Sequence, residues 1–171
     1  MKSNTGFTII EVLIVIAIIG VAAAFGIPAY MSQLPDMRLK AATNDIKTDM
    51  EIAKLRAIRE NASVAVVFNT GNDSYQVFVD NGAGGGTENN YTVDGTESVL
   101  KSVTISDDVD LYQTTFTNDR TRFNGRALPN IIGSAYMKNT KNTYRGISLS
   151  IVGKVQIKES TNGGSTWTDV D

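Results

Sequence analysis

The sequence predicts an α+β protein in which one long N-terminal α-helix, hydrophobic and then amphipathic, packs on a globular domain of mostly antiparallel β-sheet. Three observations predict it. Residues 7–27 read FTIIEVLIVIAIIGVAAAFGI, with Glu11 as the one charged side chain. Leu39, Ala42, Ile46, Met50, Ala53 and Ala57 then recur at spacings of three and four, the mark of a helix with one buried face. From Ser63 onward, short β-branched runs alternate with turn-forming residues.

The apolar run has 21 residues. At ~1.5 Å per residue it reaches roughly 31 Å as a helix, the thickness of a bilayer core. A secretory signal has a shorter apolar core followed by a small-residue cleavage site, so removal behind this run is disfavoured and the run reads as a single-pass anchor. Glu11 is the residue that a plain anchor does not explain. A carboxylate inside a spanning helix costs on the order of 2–3 kcal/mol and usually has a partner or a function.

Met1 to Gly6 reads MKSNTG, and Gly6-Phe7-Thr8 precedes Glu11 and the aliphatic run. This combination of a short basic leader, Gly6, Phe7 and Glu11 resembles the class III signal of type IV prepilins and type II secretion pseudopilins. The resemblance implies cleavage between Gly6 and Phe7 by a prepilin peptidase, N-methylation of Phe7, and an assembly role for Glu11. It also implies a pilin-like fold, an inner-membrane location with the globular domain in the periplasm or outside the cell, and incorporation into a filament. The implied partners are other pilin or pseudopilin subunits, the peptidase, an inner-membrane assembly platform and the membrane itself. Loss of Lys2 with the leader leaves 15 basic against 18 acidic side chains.

Pro28 and Pro35 each remove a helical donor and clash with the preceding turn, so the helix is expected to bend or melt locally near them. In pilins, a proline matching Pro28 is associated with melting inside the fibre. The division expected is leader 1–6, transmembrane and assembly helix 7–27, amphipathic stem 28–62 and β-rich domain 63–171. The stem should end near Asn61, where RENASVAVVF turns β-branched. Ser63–Asn69 and Tyr75–Val79 form an expected hairpin, Val99–Ile105 and Val109–Phe116 two further strands, and Ile147–Ile151 with Val155–Ile157 a hairpin turning at Gly153. Asp80–Ser98, rich in Gly and Asn, is expected as an exposed, mobile loop outside the core. AKLRAIRENASVAVVF, TRFNGRALP around Gly125 and YRGISLSIVGKVQIKES resemble the general secretion pathway protein H and FimT group.

Composition excludes several chemistries. There is no Cys and no His, which removes thiolate chemistry, disulfides and the commonest general base and metal ligand. No catalytic residue, cofactor or metal is assigned, and the chain reads as a non-enzyme. The GAGGG at Gly82–Gly86 lacks the Lys-Ser/Thr of a phosphate loop. Asp107, Asp108 and Asp110 lack the Gly turn and distal Glu of a calcium loop and read as a solvated acidic turn. Ser160–Trp167 resembles a single Asp-box hairpin, with Trp167 as a packing or contact residue.

With 16 Lys+Arg against 18 Asp+Glu there is no global field for nucleic acid. Arg120, Arg122 and Arg126, followed by Lys138, Lys141 and Arg145, are the candidate for weak DNA contact. Asp119 beside them and Gly153-Lys-Val-Gln156, in place of the Gly-Arg-x-Arg of DNA-binding FimT relatives, favour a solvated strand face. Three readings stand at this point: a filament subunit of the minor kind, a DNA-binding minor pilin in DNA uptake, and a membrane-anchored periplasmic domain that never polymerises.

Overall fold

A computed structural model describes residues 7–170. It divides into two units, Met1–Leu34 and Pro35–Asp171. Helix α1 spans Ile9–Glu60 and is long and apolar enough at its start to cross a membrane. Pro28 and Pro35 both lie inside α1, which runs on as helix through them, so the local melting expected near them is not present in this chain. The helix ends as the sequence predicts. Asn61 takes the left-handed conformation, the Ala62 N–H bonds the Ala57 carbonyl and the Asn61 N–H bonds the Ile58 carbonyl. This is a Schellman cap, and it satisfies two carbonyls that the helix end would leave unpaired.

Within Pro35–Asp171, two antiparallel sheets face the stem part of α1. The first has the order β3-β2-β1-β5 and the second β4-β6-β7-β8-β9. Their strands are β1 (Val64–Asn69), β2 (Ser74–Val79), β3 (Val99–Thr104), β4 (Val109–Thr114), β5 (Arg120–Phe123), β6 (Gly133–Asn139), β7 (Tyr144–Leu149), β8 (Val155–Ser160) and β9 (Thr168–Asp169). The expected hairpins β1–β2 and β7–β8 are present, paired Val64 to Val79 and Leu149 to Val155 at their ends. β5 and β6 are additions to the sequence reading. In β5 the alternation of Arg120 and Arg122 with buried Thr121 and Phe123 is a strand period only four residues long.

The stripe on α1 forms one wall of the core. Leu39, Ile46, Met50, Ala53 and Ala57 are fully buried and Ala42 is partly so, against Val64, Val66, Val77 and Phe123 of the first sheet and Leu111, Met137 and Ile147 of the second. One charged group enters this wall. Asp49 is 3% exposed and accepts the Tyr75 hydroxyl at 2.5 Å and Lys101 Nζ at 2.7 Å. Burial and the adjacent Asp49 carboxylate push the Tyr75 hydroxyl well above the usual tyrosine range, so it stays protonated and keeps donating.

The helix is tied to the second sheet at its Pro35 end. The Asp36 carboxylate accepts Asn139 Nδ2 at 2.6 Å, Thr143 Oγ1 at 2.8 Å and Lys141 Nζ at 2.5 Å, all from the β6–β7 turn. These donors, Lys141 first, hold Asp36 down at about 2, below its ordinary 3.8. A lowered carboxylate pKa contributes stability that is complete above the unfolded value and disappears as pH falls through the folded one. Unfolding free energy of Asp36→Asn should therefore approach that of the wild type as pH drops from about 4 to about 2, and lie below it by up to ~1 kcal/mol at neutral pH, since the exposed carboxylate is screened. Urea titrations of both proteins across that window test it, and parallel pH profiles would refute the clamp.

Asp80–Ser98 is a largely exposed loop, as its composition predicts, but part of it also packs on the first sheet. Ala65 and Phe78 point to the face of the first sheet away from Val64 and Val66, yet both are buried; on that face Arg122, the register partner of Ala65, carries the Tyr91 ring of this segment. It holds its shape with three carboxylates in place of a ladder. Asp80, fully buried, accepts the N–H groups of Asn90 and Tyr91 at 3.2 and 3.0 Å; Asp94 accepts that of Thr87 at 3.1 Å; Glu97 accepts those of Gly82 and Asp94 at 2.7 and 3.2 Å. A polar loop can pack when its backbone donors are satisfied this way.

Candidate functional site

The N-terminal end of α1 carries the residues singled out for processing and assembly. Gly6 lies outside the described residues. Phe7 is the first described residue, with its side chain 82% exposed. The Glu11 N–H donates to the Thr8 carbonyl and hydroxyl at 3.2 and 3.3 Å, and the Val12 N–H to the same carbonyl at 3.3 Å. Thr8 is thus the N-cap and Glu11 the third helical residue, the spacing of a capping box. That position also sets the Glu11 carboxylate against the positive end of the helix dipole. The Thr8-x-x-Glu11 signal is present in the sequence, where Glu11 stands out for its charge alone. Among the described residues no ion pair engages Glu11, and the side chains from Phe7 to Ile27 are exposed except for partly covered Ala23. An apolar surface of this length needs lipid or other helices around it.

The basic residues do not form one open face. Arg120 and Arg122 lie over the Tyr91 ring, at 4.4 and 5.2 Å from its centroid, and Arg122 also donates to the Asn89 carbonyl at 2.8 Å. Both hold the 80–98 segment on β5, a cation–π use that needs no ligand. Lys138 pairs with Asp110 at 3.2 Å, Lys141 with Asp36, and Arg145 with Glu159. Arg126 stays exposed on the turn after β5. Gly125 beside it is required by a close approach, because a Cβ there would stand 2.5 Å from Asn61 Oδ1 at the end of α1. DNA affinity of the wild-type protein should therefore be no tighter than about 10⁻⁴–10⁻⁶ M near physiological salt. Fluorescence anisotropy with a labelled duplex measures it; tighter binding that vanishes when Arg120, Arg122 and Arg126 are replaced would contradict this.

The remaining motifs take structural positions. Asp108 pairs with Arg38 and Asp110 with Lys138, so two of the three clustered aspartates are tied to cations. In the Ser160–Trp167 turn, Ser160 Oγ accepts the Gly164 N–H at 3.0 Å and Asn162 Oδ1 that of Thr166 at 2.9 Å. Trp167 then stacks on Tyr136 with ring centroids 4.4 Å apart, and β9 pairs with β8.

A family model of the type II transport protein GspH matches residues 42–153, from the stem of α1 to the β7–β8 turn. The chain belongs to the GspH family. A prokaryotic N-terminal methylation motif also matches residues 1–27 of this GspH-family chain. Among curated relatives, a fimbrial protein of Pseudomonas aeruginosa is 36% identical over 64 residues, 37% of this chain and 41% of that protein. The pilin-like protein PilA1 of Thermus thermophilus is 35% identical over 82 residues, 47% of this chain and 51% of that one. The chain thus spans about two fifths to half the length of the curated relatives it matches.

The fold is shared with two solved structures at low identity. The minor pseudopilin EpsH of the Vibrio cholerae Type 2 Secretion System gives a TM-score of 0.53 at 6% identity, over 71% of this chain and 97% of that one. The type IV minor pilin FimU of Pseudomonas aeruginosa gives 0.54 at 9% identity, over 75% and 98%. The pilin-like α+β architecture expected from the sequence is therefore the one observed.

Proposed function

We propose that this GspH-family protein is a non-enzymatic subunit, of the minor kind, in a type IV pilus-like or type II secretion filament. The reading rests on one coincidence in a single chain: an N-terminal methylation motif over residues 1–27 joined to a GspH domain over residues 42–153. The precursor sits in the inner membrane through residues 7–27, with its globular domain in the periplasm. Prepilin peptidase cuts between Gly6 and Phe7 and the new Phe7 amine is methylated. An assembly platform then draws the apolar helix from lipid into the filament, where other pilin-like helices cover it. Melting around Pro28 gives the helix slack inside the fibre, and Glu11 pairs with a Phe7 amine to register subunits.

Intact mass spectrometry of protein extracted from native membranes tests this. The expected mass is that of residues 7–171 plus one methyl group. Finding the full 171-residue chain alone in cells with an active prepilin peptidase would overturn the filament reading.

A further inference from the structure

Among the described residues the two sheets end in the edge strands β3, β5, β4 and β9. Three of these are covered or short. Along β5 the Asn130 N–H bonds the Arg122 carbonyl at 3.1 Å, Asn130 Oδ1 accepts the Arg122 N–H at 3.0 Å, and Phe123 bridges Pro129. On β4 the Leu111 N–H is taken by Asp73 Oδ1 at 2.8 Å, and β9 is two residues long. β3 differs. It pairs with β2 on one side, and among the described residues no backbone bond reaches Val99–Thr104 on the other. The Ile105 N–H bonds the Asp73 carbonyl at 2.7 Å, and bonded and unbonded pairs alternate in an antiparallel ladder. Val103 and Lys101 therefore exchange bonds with β2, while Ser102 and Thr104 turn their N–H and C=O groups outward. Such an edge is a template for another strand.

The edge also has a wall. One flank of α1 makes two clefts with β3, one of about 340 Å³ where Ile52 and Leu55 face Leu100, and one of about 170 Å³ where Ala41 and Ala42 face Val103. Ile52 and Leu55 are 48% and 62% exposed. Asp45 at one cleft and Ile52 at the other lie about 10 Å apart along α1, and Val103 and Leu100 about 10 Å apart along β3. The clefts therefore follow each other along the open edge as one trough. Between them the Lys101 ammonium is paired with Asp49 at 2.7 Å. At the Leu100 end, Arg56 and Arg59 share the single carboxylate of Glu60 at 2.9 and 3.6 Å, which leaves an excess of positive charge.

These features select the occupant. A helix satisfies its own backbone and would leave the edge unpaired, whereas an added strand pairs it and sets alternate side chains against the apolar wall. Antiparallel to β3, such a strand brings its C-terminal end to Arg56 and Arg59, where an acidic residue is favoured. A second copy's own open strand does not match, since Val99–Thr104 holds no acidic residue and its Lys101 is committed to Asp49.

We propose that the open edge of β3 and the α1 flank beside it bind one extended segment of a different protein. The segment is a strand of about six residues with aliphatic side chains at alternate positions, no Pro, and an acidic residue at its C-terminal end. The trough holds one strand, which agrees with a subunit of the minor kind. It lies within Pro35–Asp171 and depends on neither cleavage nor polymerisation.

The full chain in detergent micelles, without assembly machinery, tests this by titration with a capped peptide that alternates valine with threonine and ends in aspartate. Amide exchange followed by NMR should slow at least about tenfold at Ser102 and Thr104, and less at Val103, which is already bonded to β2. Ser102→Pro removes an outward N–H and spares the β2 ladder, and Leu55→Glu puts a charge on the exposed wall; each should weaken binding at least about tenfold. Arg59→Glu should reverse the preference between this peptide and one ending in lysine. No protection with either peptide, or protection of Thr104 that survives Ser102→Pro, would overturn the strand site. In native cells a photo-crosslinking residue in place of Val99 should capture a segment of this composition from a different protein, and Ser102→Pro should abolish the capture. Capture of a second copy alone would overturn the occupant. An uncleaved chain that still shows the protection would remove the filament reading and keep this site, and a methylated 7–171 product without protection would do the reverse.

Discussion

Glu11→Val should reduce incorporation into filaments by at least about tenfold while membrane insertion stays intact or improves. In the mature chain proposed above, the Phe7 amine is a positive charge at the start of an apolar helix, four residues before Glu11. Each charge alone is costly in lipid, whereas opposite charges ~4 Å apart attract by about 4 kcal/mol at an effective dielectric near 20. Even a third of that is a factor of ten in an equilibrium. Deleting the carboxylate removes ~2–3 kcal/mol of insertion cost, so the defect should appear at assembly. The capping geometry adds a competing role, since Glu11 is also the third residue of a helix capped by Thr8. Glu11→Gln separates the two, because glutamine can complete a capping box and carries no charge. Cross-linking to filament partners at matched membrane levels should find Gln as defective as Val. Wild-type incorporation with Gln would assign Glu11 to helix capping, and wild-type incorporation with Val would remove it from assembly altogether.

Asp49→Ala should destabilise the Pro35–Asp171 unit by about 3 kcal/mol, a drop of roughly 10 °C in Tm. The carboxylate is buried on the core face of α1 and holds Tyr75 of β2 and Lys101 of β3 together. Removing it leaves the Tyr75 hydroxyl, itself in a residue 3% exposed, without an acceptor, and empties space beside Met50 and Ala53. Lys101 is half exposed and can turn to water, which keeps the loss below that of a fully buried pair. Thermal unfolding of the 35–171 fragment by circular dichroism measures the effect. The double variant with Tyr75→Phe should be more stable than Asp49→Ala alone, because the stranded hydroxyl is gone. A loss under ~0.5 kcal/mol would show that the cluster does not anchor the helix.

Periodic features are legible in the sequence because their cause is local. The core stripe from Leu39 to Ala57 and the hairpins at Gly71 and Gly153 follow from side-chain direction and turn chemistry within a few residues. β5 and β6 are not legible. Arg120–Phe123 is too short to show a period, and Gly133–Asn139 mixes small and polar residues that become a central strand only between β4 and β7. The packing of the 80–98 segment escapes the sequence for a related reason. Composition gives its Gly and Asn residues a loop, but whether a loop packs depends on acceptors such as Asp80, whose partners Asn90 and Tyr91 are ten and eleven residues away.

The amino-acid sequence by itself determined the fold class, the membrane-length helix, its stop at Asn61 and the singular position of Glu11. Each of these follows from hydropathy or from interactions spanning one helical turn. The tertiary structure alone decided where the charges go. It puts Asp49 under Tyr75, ties Arg120 and Arg122 to Tyr91, and fastens Asp36 to the β6–β7 turn. The physical reason is that a charge finds its partner through space, and long-range pairing in a sheet brings together residues that sequence distance keeps apart.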